Sequence, residues 1–314
     1  MKKLAVAFLW HMHQPMYKDP VSGKILMPWV RMHSLKGYND MIRIVQDYPG
    51  VRQNFNVVPS LIAQIEDTLA EPANDIHWQV SLKPASDLTA EDKEFILSDF
   101  FMAIWDTMIR PYPRYWELLG KRGRNGNEGE DIGAFSEKDF RDIQVFFNLV
   151  WFGYMARKQH PVLQELIKKG KNYTEEDKKT VLDTQLKVLR ELLPAYKKAQ
   201  DRGQVEISVS PFYHPILPLL MDTDFAARAM PWAPLPERFR HPEDARAQIA
   251  KALDKAEKVF GKRPRGMWPS EGSVCEELME IFAAEGVQWI ATDEEILFHS
   301  IAAQDRGHSL YKAY

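Results

Sequence analysis

Two histidines follow the first apolar run of the chain and are the earliest residues with evident chemistry. His11 and His13 are two positions apart, so in an extended strand both imidazoles point to the same side. Imidazoles placed in this way can bind a metal ion, hydrogen-bond the hydroxyl groups of a substrate, or act as buried structural groups. His214, like Gln14, precedes a proline, which favours an extended backbone. The pattern favours rigid presentation of these side chains to a ligand.

A carboxylate occurs later, in the tetrapeptide Trp268-Pro269-Ser270-Glu271. A carboxylate beside an indole ring suits attack on the anomeric carbon of a sugar, and a retaining glycosidase also needs a second carboxylic acid about 5 Å away. The alternative is that Glu271 caps the following helix, where acidic side chains are favoured. Asp293 is the nearest candidate partner in the sequence, although the run from Thr292 to Glu295 also fits a helix start.

Five predicted strands position these residues, at 4–9, 51–58, 205–210, 266–268 and 287–292. The first is apolar throughout, which is typical of a parallel strand covered on both faces, and we expect it to be buried. In parallel α/β folds the working residues follow the carboxyl ends of the strands. We therefore expect His11, His13, His214 and Glu271 to meet at one edge of the sheet.

Helix starts are also readable between these strands. Thr89, Ser136 and Thr174 are each followed three residues later by an aspartate, the pattern of an N-cap with a reciprocal acid. They lie in a segment at about 75–202 that we predict to be a helical insertion. Proline near the start and glycine at the end predict a helix at 242–260, and a further helix is predicted at 274–285. Alternation of helices and strands predicts an α/β fold with a parallel sheet.

Composition limits the function classes. The 314 residues are 45% hydrophobic and 27% charged with a net charge of −3, which is typical of a globular domain without a basic nucleic-acid surface. We predict no membrane span, since no apolar stretch reaches the required length. The lone Cys275 excludes an internal disulfide. A cytoplasmic location is expected, and the oligomeric state stays open.

Several segments together resemble a known family. His13-Gln14-Pro15, Tyr213-His214-Pro215 and Trp268-Pro269-Ser270-Glu271 occur in the order of three signatures of glycoside hydrolase family 57. The segments 35–38 and 54–60 are also similar to that family, so the resemblance extends from residue 4 to about residue 295. It implies an incomplete (β/α)7 TIM-like barrel that acts on α-glucans or maltooligosaccharides with retention of configuration.

The resemblance also implies roles for individual residues. Glu271 aligns with the catalytic nucleophile, and His13 and His214 align with residues that line the sugar subsite. Trp268 is expected to form a wall of that subsite. We add His11, Asp293 and Trp29 as expected substrate contacts. No metal or cofactor is required by this chemistry.

One departure from the family pattern is specific. The family's acid/base aspartate belongs to a later signature, and no segment after Ile301 resembles it. Only about five of seven strands are found, so we expect 1–314 to be the N-terminal part of a barrel that continues past Tyr314. Two other readings stay open. One is a metal-dependent hydrolase of the amidohydrolase or polysaccharide-deacetylase type, using His11 and His13. The other is a non-catalytic glucan-binding module, if the chain ends at Tyr314.

Overall fold

The computed structural model describes residues 6–123 and 132–301. The fold is mixed α/β, mostly helical with a small parallel sheet. The chain divides into two compact units. Unit 1 comprises Met1–Met16, Gly50–Ala63 and Tyr196–Tyr314, and unit 2 comprises Tyr17–Pro49 and Gln64–Ala195. The segment at about 75–202 that the sequence predicts to be helical falls mostly within unit 2.

Five strands and fifteen α-helices occur in the described residues. The strands are β1 (Leu9–Met12), β2 (Gln53–Val57), β3 (Val205–Ser208), β4 (Gly266–Met267) and β5 (Trp289–Ile290). The helices are α1 (Trp29–His33), α2 (Asn39–Asp47), α3 (Pro59–Ala70), α4 (Ile76–Leu82), α5 (Ala90–Asp99), α6 (Pro113–Arg122), α7 (Glu137–Leu149), α8 (Tyr154–Gln159), α9 (Pro161–Lys169), α10 (Glu175–Asp201), α11 (Leu217–Met221), α12 (Ala226–Ala229), α13 (Pro242–Phe260), α14 (Met279–Ala284) and α15 (Glu294–Ser300). No helix in the described ranges combines the length and apolar character needed to cross a bilayer.

The strands of unit 1 are parallel and follow one another in sequence order. β1, β2 and β3 form a three-stranded sheet in that order, and β4 pairs with β5. A single parallel bridge between Val209 and Met267 continues β3 onto β4. The predicted parallel sheet is confirmed. Because the carboxyl ends of parallel strands lie at one edge, the residues after β1, β3 and β4 come together.

The first strand differs from its prediction. The sequence predicts a buried strand at 4–9, of which 4–5 lie outside the described residues. β1 instead begins at Leu9, and Val6 and Phe8 are 65% and 53% exposed. The prediction is wrong for the described residues, because an apolar run by itself does not fix where a strand begins or that it is buried. In the described sheet β1 is an edge strand, and its ladder with β2 runs from Leu9 to Met12.

Helix ends agree with local sequence signals. Thr89 and Ser136 each form a reciprocal capping box with the aspartate three residues on, and Thr174 exchanges the same two bonds with Asp177. The helix predicted at 242–260 is α13, which ends at Gly261 with φ of 75°. These predictions are confirmed. The helix predicted at 274–285 is shorter than expected, because its first turn is a 3₁₀ turn at Glu276–Leu278 that precedes α14.

A buried ion pair lies in the core of unit 2. Arg31 Nε donates to Asp75 Oδ2 over 2.8 Å, and both side chains are 1% exposed. Arg31 also donates to Asn148 Oδ1 and Gln185 Oε1, at 2.9 and 2.6 Å. Buried charges persist when they are paired and hydrogen-bonded, so this network joins α1, α7 and α10.

Candidate active site

Three imidazoles come together near the carboxyl ends of β1 and β3. The ring centroids of His11 and His13 are 5.8 Å apart, and His214 lies 5.2 Å from His11. His13 and His214 stack at 4.1 Å with an interplanar angle of 21°. One ring nitrogen from each residue lies within 4.8 Å of the others. The structure therefore groups two residues of the opening segment with one that is about 200 positions away.

The orientation of His11 is set by Asn56 in β2. His11 pairs with Asn56 across the sheet, and its Nδ1 lies 2.7 Å from Asn56 Oδ1. Ser210 Oγ donates to the same carboxamide oxygen over 3.0 Å. Because a carboxamide oxygen only accepts, Nδ1 of His11 is the donor in this bond, and Nε2 is the ring nitrogen left for other partners. Asn56 was not predicted as a site residue. Its role follows from register, which single-sequence reasoning did not supply.

Backbone strain marks two of the site residues. His214 and Glu271 have φ of 59° and 53°, in the left-handed region that non-glycine residues rarely occupy. Among the described residues only one other non-glycine position, Asn172, has positive φ. The expectation that Pro215 keeps His214 extended is wrong, because His214 closes a turn in which its N–H donates to Pro211 O. Such conformations cost about 1–3 kcal/mol each and concentrate at functional sites.

Glu271 lies on a tight turn after β4. It is exposed and is the middle residue of the 3₁₀ turn Ser270–Gly272. The turn is held by the segment that follows β5, since Thr292 Oγ1 donates to Gly272 O over 2.6 Å. Gly272 has φ of 68°, which suits a residue without Cβ. The helix-capping alternative for Glu271 is wrong, because the next helical turn begins at Glu276 with Cys275 as its N-cap.

Trp268 connects the turn to the imidazoles. The backbone N–H of Trp268 donates to Val209 O over 2.8 Å, which fixes the start of the turn against the end of β3. Its ring centroid is 5.0 Å from that of His11, at an interplanar angle of 49°. Trp268 is partly exposed, so a face of the indole is available to a ligand. An aromatic face of this kind packs well against the apolar face of a pyranose ring.

The charges of the site act on the imidazoles. Burial and the neighbouring His11 lower the pKa of His13, while the negative charge of Glu271 acts in the opposite direction. Burial, followed by the charges of His13 and His11, lowers the pKa of His214 to about 4. Near neutral pH both rings are therefore uncharged, and each can accept one hydrogen bond and donate another.

The lowered pKa of His214 predicts an acid-sensitive fold. Its pKa is about 4 in the folded protein, against 6.5 for the unperturbed group. Between these values the unfolded chain binds a proton that the folded chain does not, so stability falls as the pH falls through this window. We expect His214→Asn, which tolerates positive φ, to lose less stability between pH 6.5 and pH 4 than the wild type. Urea midpoints across the window measure this, and parallel pH profiles for the two proteins would contradict it.

The other predicted site residues lie in different settings. Asp293 is the N-cap of α15, where its carboxylate accepts from the N–H of Glu295 over 2.8 Å. Trp29 lies in unit 2, with its ring 5.6 Å from that of Trp151. Substrate binding by Asp293 and Trp29 stays a prediction. Glu206, whose role the sequence left open, accepts from Trp289 Nε1 over 3.2 Å, and its carboxylate is 3.6 Å from Arg265.

Comparison with known proteins identifies a family. The profile of Glycosyl hydrolase family 57 matches residues 7–314. No curated protein sequence is significantly similar to this chain. The family match includes the three imidazoles, Trp268 and Glu271.

Solved structures of three proteins are also similar to the chain. The α-amylase AmyC from Thermotoga maritima is 19% identical with a TM-score of 0.46, over 92% of this chain and 39% of the amylase. The 4-alpha-glucanotransferase from Thermococcus litoralis is 13% identical with a TM-score of 0.43, over 97% of this chain and 25% of that enzyme. A GH57 branching enzyme from Thermococcus kodakaraensis, solved in complex with glucose, is 18% identical with a TM-score of 0.40. The match covers 84% of this chain and 32% of the branching enzyme. The chain spans between 25% and 39% of the length of these proteins.

Proposed function

The chain belongs to glycosyl hydrolase family 57, and from this premise we propose that it cleaves or transfers α-glucan chains with retention of configuration, using Glu271 as nucleophile. The observation that supports this best is the turn at Ser270–Gly272. It holds an exposed carboxylate in a strained conformation while the charge of that carboxylate acts on His13. A carboxylate fixed beside neutral hydrogen-bonding groups suits attack on a bound sugar.

The proposed reaction is a double displacement. A carboxylate oxygen of Glu271 attacks the anomeric carbon, the bond to the glycosidic oxygen breaks, and that oxygen takes a proton from a carboxylic acid. The resulting carboxylate then deprotonates water or an acceptor hydroxyl, which attacks the same carbon and releases Glu271. The proposed acid/base is an aspartate that follows Tyr314 in a longer enzyme. Hydrolysis and transfer differ only in the acceptor of the second step.

The imidazoles and Trp268 are proposed to hold the reacting sugar. In the neutral form each ring has one donor and one acceptor nitrogen, which matches the two hydrogen-bonding roles of a hydroxyl group. Nε2 of His11 is the acceptor, because Nδ1 is engaged by Asn56. Trp268 offers an apolar face beside His11. Such contacts orient the anomeric carbon toward Glu271, and orientation supplies a large share of the rate acceleration.

We also propose that the parallel strands are part of an incomplete (β/α)7 barrel. Support comes from the order of the strands, which are parallel neighbours in sequence from β1 to β5. Further support comes from the placement of the candidate site after the carboxyl ends of β1, β3 and β4. In barrels of parallel strands, catalytic residues occupy this face.

The proposal is tested by trapping the covalent intermediate. The protein is incubated with a 5-fluoro-α-glucosyl fluoride, whose ring fluorine slows the second step more than the first. We expect a mass increase of one fluoroglucosyl group and, after proteolysis, an adduct on the peptide that contains Glu271. An adduct on another residue, or none under conditions in which the substrate is consumed, would reject Glu271 as nucleophile.

A second measurement separates the nucleophile from the acid. Fluoride leaves without taking a proton, so α-maltosyl fluoride does not need a general acid, whereas maltoheptaose does. We expect residues 1–314 to release about one equivalent of fluoride per chain rapidly and then to turn over slowly, because the base of the second step is missing. Cleavage of maltoheptaose should be at least about 10²-fold slower than in an enzyme that retains its general acid. Efficient cleavage of maltoheptaose by residues 1–314 would place the proton donor within this chain. Binding of maltoheptaose without release of even one equivalent of fluoride would support the non-catalytic alternative.

A further inference from the structure

We propose that His11, His13 and His214 form a binding site for a borderline transition-metal cation such as Zn²⁺, and that a bound cation inhibits the enzyme. The first part rests on the imidazole geometry alone. The second part also rests on the proposed sugar site, because the cation would occupy the space assigned to the sugar hydroxyls. A cation that displaces the sugar hydroxyls from these rings would inhibit glycosyl transfer.

The three imidazoles suit a cation that prefers nitrogen ligands. Three imidazole nitrogens and one open position are a recurrent arrangement for Zn²⁺. The three nitrogens lie within 4.8 Å of one another, whereas ligands at about 2.0–2.1 Å from a tetrahedral ion are roughly 3.4 Å apart. Because His13 and His214 are stacked, one of these rings has to turn out of the stack for both nitrogens to face the same ion. Hard cations such as Mg²⁺ and Ca²⁺ prefer oxygen ligands, so the site should discriminate against them.

His11 already has the outer contact that metal-binding histidines usually make. Its Nδ1 lies 2.7 Å from Asn56 Oδ1 and donates to it, which leaves Nε2 as the nitrogen that can bind a metal ion. The carboxamide is held in turn, because Ser210 Oγ donates to the same oxygen. Outer contacts of this kind fix the tautomer and the ring orientation, and removing one costs about 10- to 100-fold in metal affinity. This chain, from Ser210 through Asn56 to His11, is the second observation that points to a metal ion.

Access and charge are also suitable. His11 is exposed and the other two imidazoles are partly exposed, so an ion reaches the site from solvent. The charge of Glu271 is felt at His13, so a divalent cation held there is partly neutralised. A cation would at the same time attract the carboxylate that has to attack the sugar. Occupation of the site and catalysis are therefore expected to be mutually exclusive.

The test is a titration of the chelator-treated protein with Co²⁺, which absorbs strongly in the visible region when it is four-coordinate. We expect one Co²⁺ per chain, displaced by one equivalent of Zn²⁺ and not by excess Mg²⁺. Asn56→Ala should weaken Co²⁺ binding by about 10- to 100-fold, and His11→Ala and His214→Asn by more. His241→Ala is the matched control. His241 is an exposed histidine whose Nδ1 lies 2.7 Å from Glu243 Oε1, and its loss should leave the titration unchanged.

The outcomes are distinct. Absence of a four-coordinate Co²⁺ spectrum in the wild-type protein would overturn the proposal. So would equal affinity in the wild type, His11→Ala and His214→Asn, provided that thermal unfolding shows all three proteins to be folded. Because the titration uses no substrate, its result does not depend on the role of Glu271. Inhibition is measured separately, as a Zn²⁺-dependent loss of fluoride release from α-maltosyl fluoride. Unchanged release at Zn²⁺ concentrations that saturate the site would overturn the second part of the proposal.

Discussion

Replacing Glu271 with glutamine should lower kcat for an activated glucan substrate by about 10⁴-fold or more. Glutamine has nearly the same shape and tolerates the backbone of the turn as well as glutamate does, but its amide oxygen is a poor nucleophile. The affinity for maltoheptaose should change little, because the groups proposed to hold the sugar remain. Initial rates with α-maltosyl fluoride measure the loss.

Two further variants make this result specific. Glu294→Gln removes the same charge from an exposed position in the first turn of α15, and it should retain wild-type activity. With α-maltosyl fluoride, Glu271→Ala should regain activity in the presence of azide, which attacks in place of the missing carboxylate, displaces fluoride and yields β-maltosyl azide, of inverted configuration. Activity of Glu271→Gln above about one per cent of the wild type would exclude the nucleophile role.

Replacing Asp75 with alanine should destabilise unit 2 by about 3–5 kcal/mol, because it leaves the buried guanidinium of Arg31 without its carboxylate. The same change removes the N-cap of α4, where Asp75 Oδ1 accepts from the N–H of Trp78 over 2.9 Å. The two losses act in the same direction. Urea unfolding followed by tryptophan fluorescence measures the effect.

The control for this prediction is an ion pair on the surface of the same unit. Lys179 Nζ lies 2.6 Å from Asp183 Oδ2, and the two side chains are 61% and 60% exposed. Solvent screens such a pair, so Asp183→Ala should cost no more than about 1 kcal/mol. A similar decrease in the free energy of unfolding in both variants would mean that burial of the Arg31 pair adds nothing to its contribution to stability.

Local features of this fold were predictable because the information is local. The hydroxyl of Thr89 and the carboxylate of Asp92 are three residues apart, so the helix start is readable from a short window. The termination of α13 at Gly261 is readable for the same reason. In contrast, Arg31 interacts with residues that are 44, 117 and 154 positions away. No short pattern identifies such partners.

The site shows the same division between local and distant information. His11, His13, His214 and Glu271 stand out as residue types in suitable positions after predicted strands. Asn56 does not, because its function depends on the register that places it opposite His11. The positive φ of His214 was also hidden, since the proline that follows it suggests the opposite conformation. Strain of this kind is imposed by the surrounding structure, which a single sequence does not display.

The position of β1 has a consequence for how the candidate site loses its structure on heating. Two of the three imidazoles are carried by, or directly follow, a four-residue strand at the edge of the described sheet. Edge segments with few ladder bonds open by local fluctuations, and the free energy of such opening is far below that of global unfolding. The amides of β1 should therefore exchange with solvent earlier than those of β2. On heating, the imidazole cluster would come apart while most of the molecule is still native, so inactivation would precede melting.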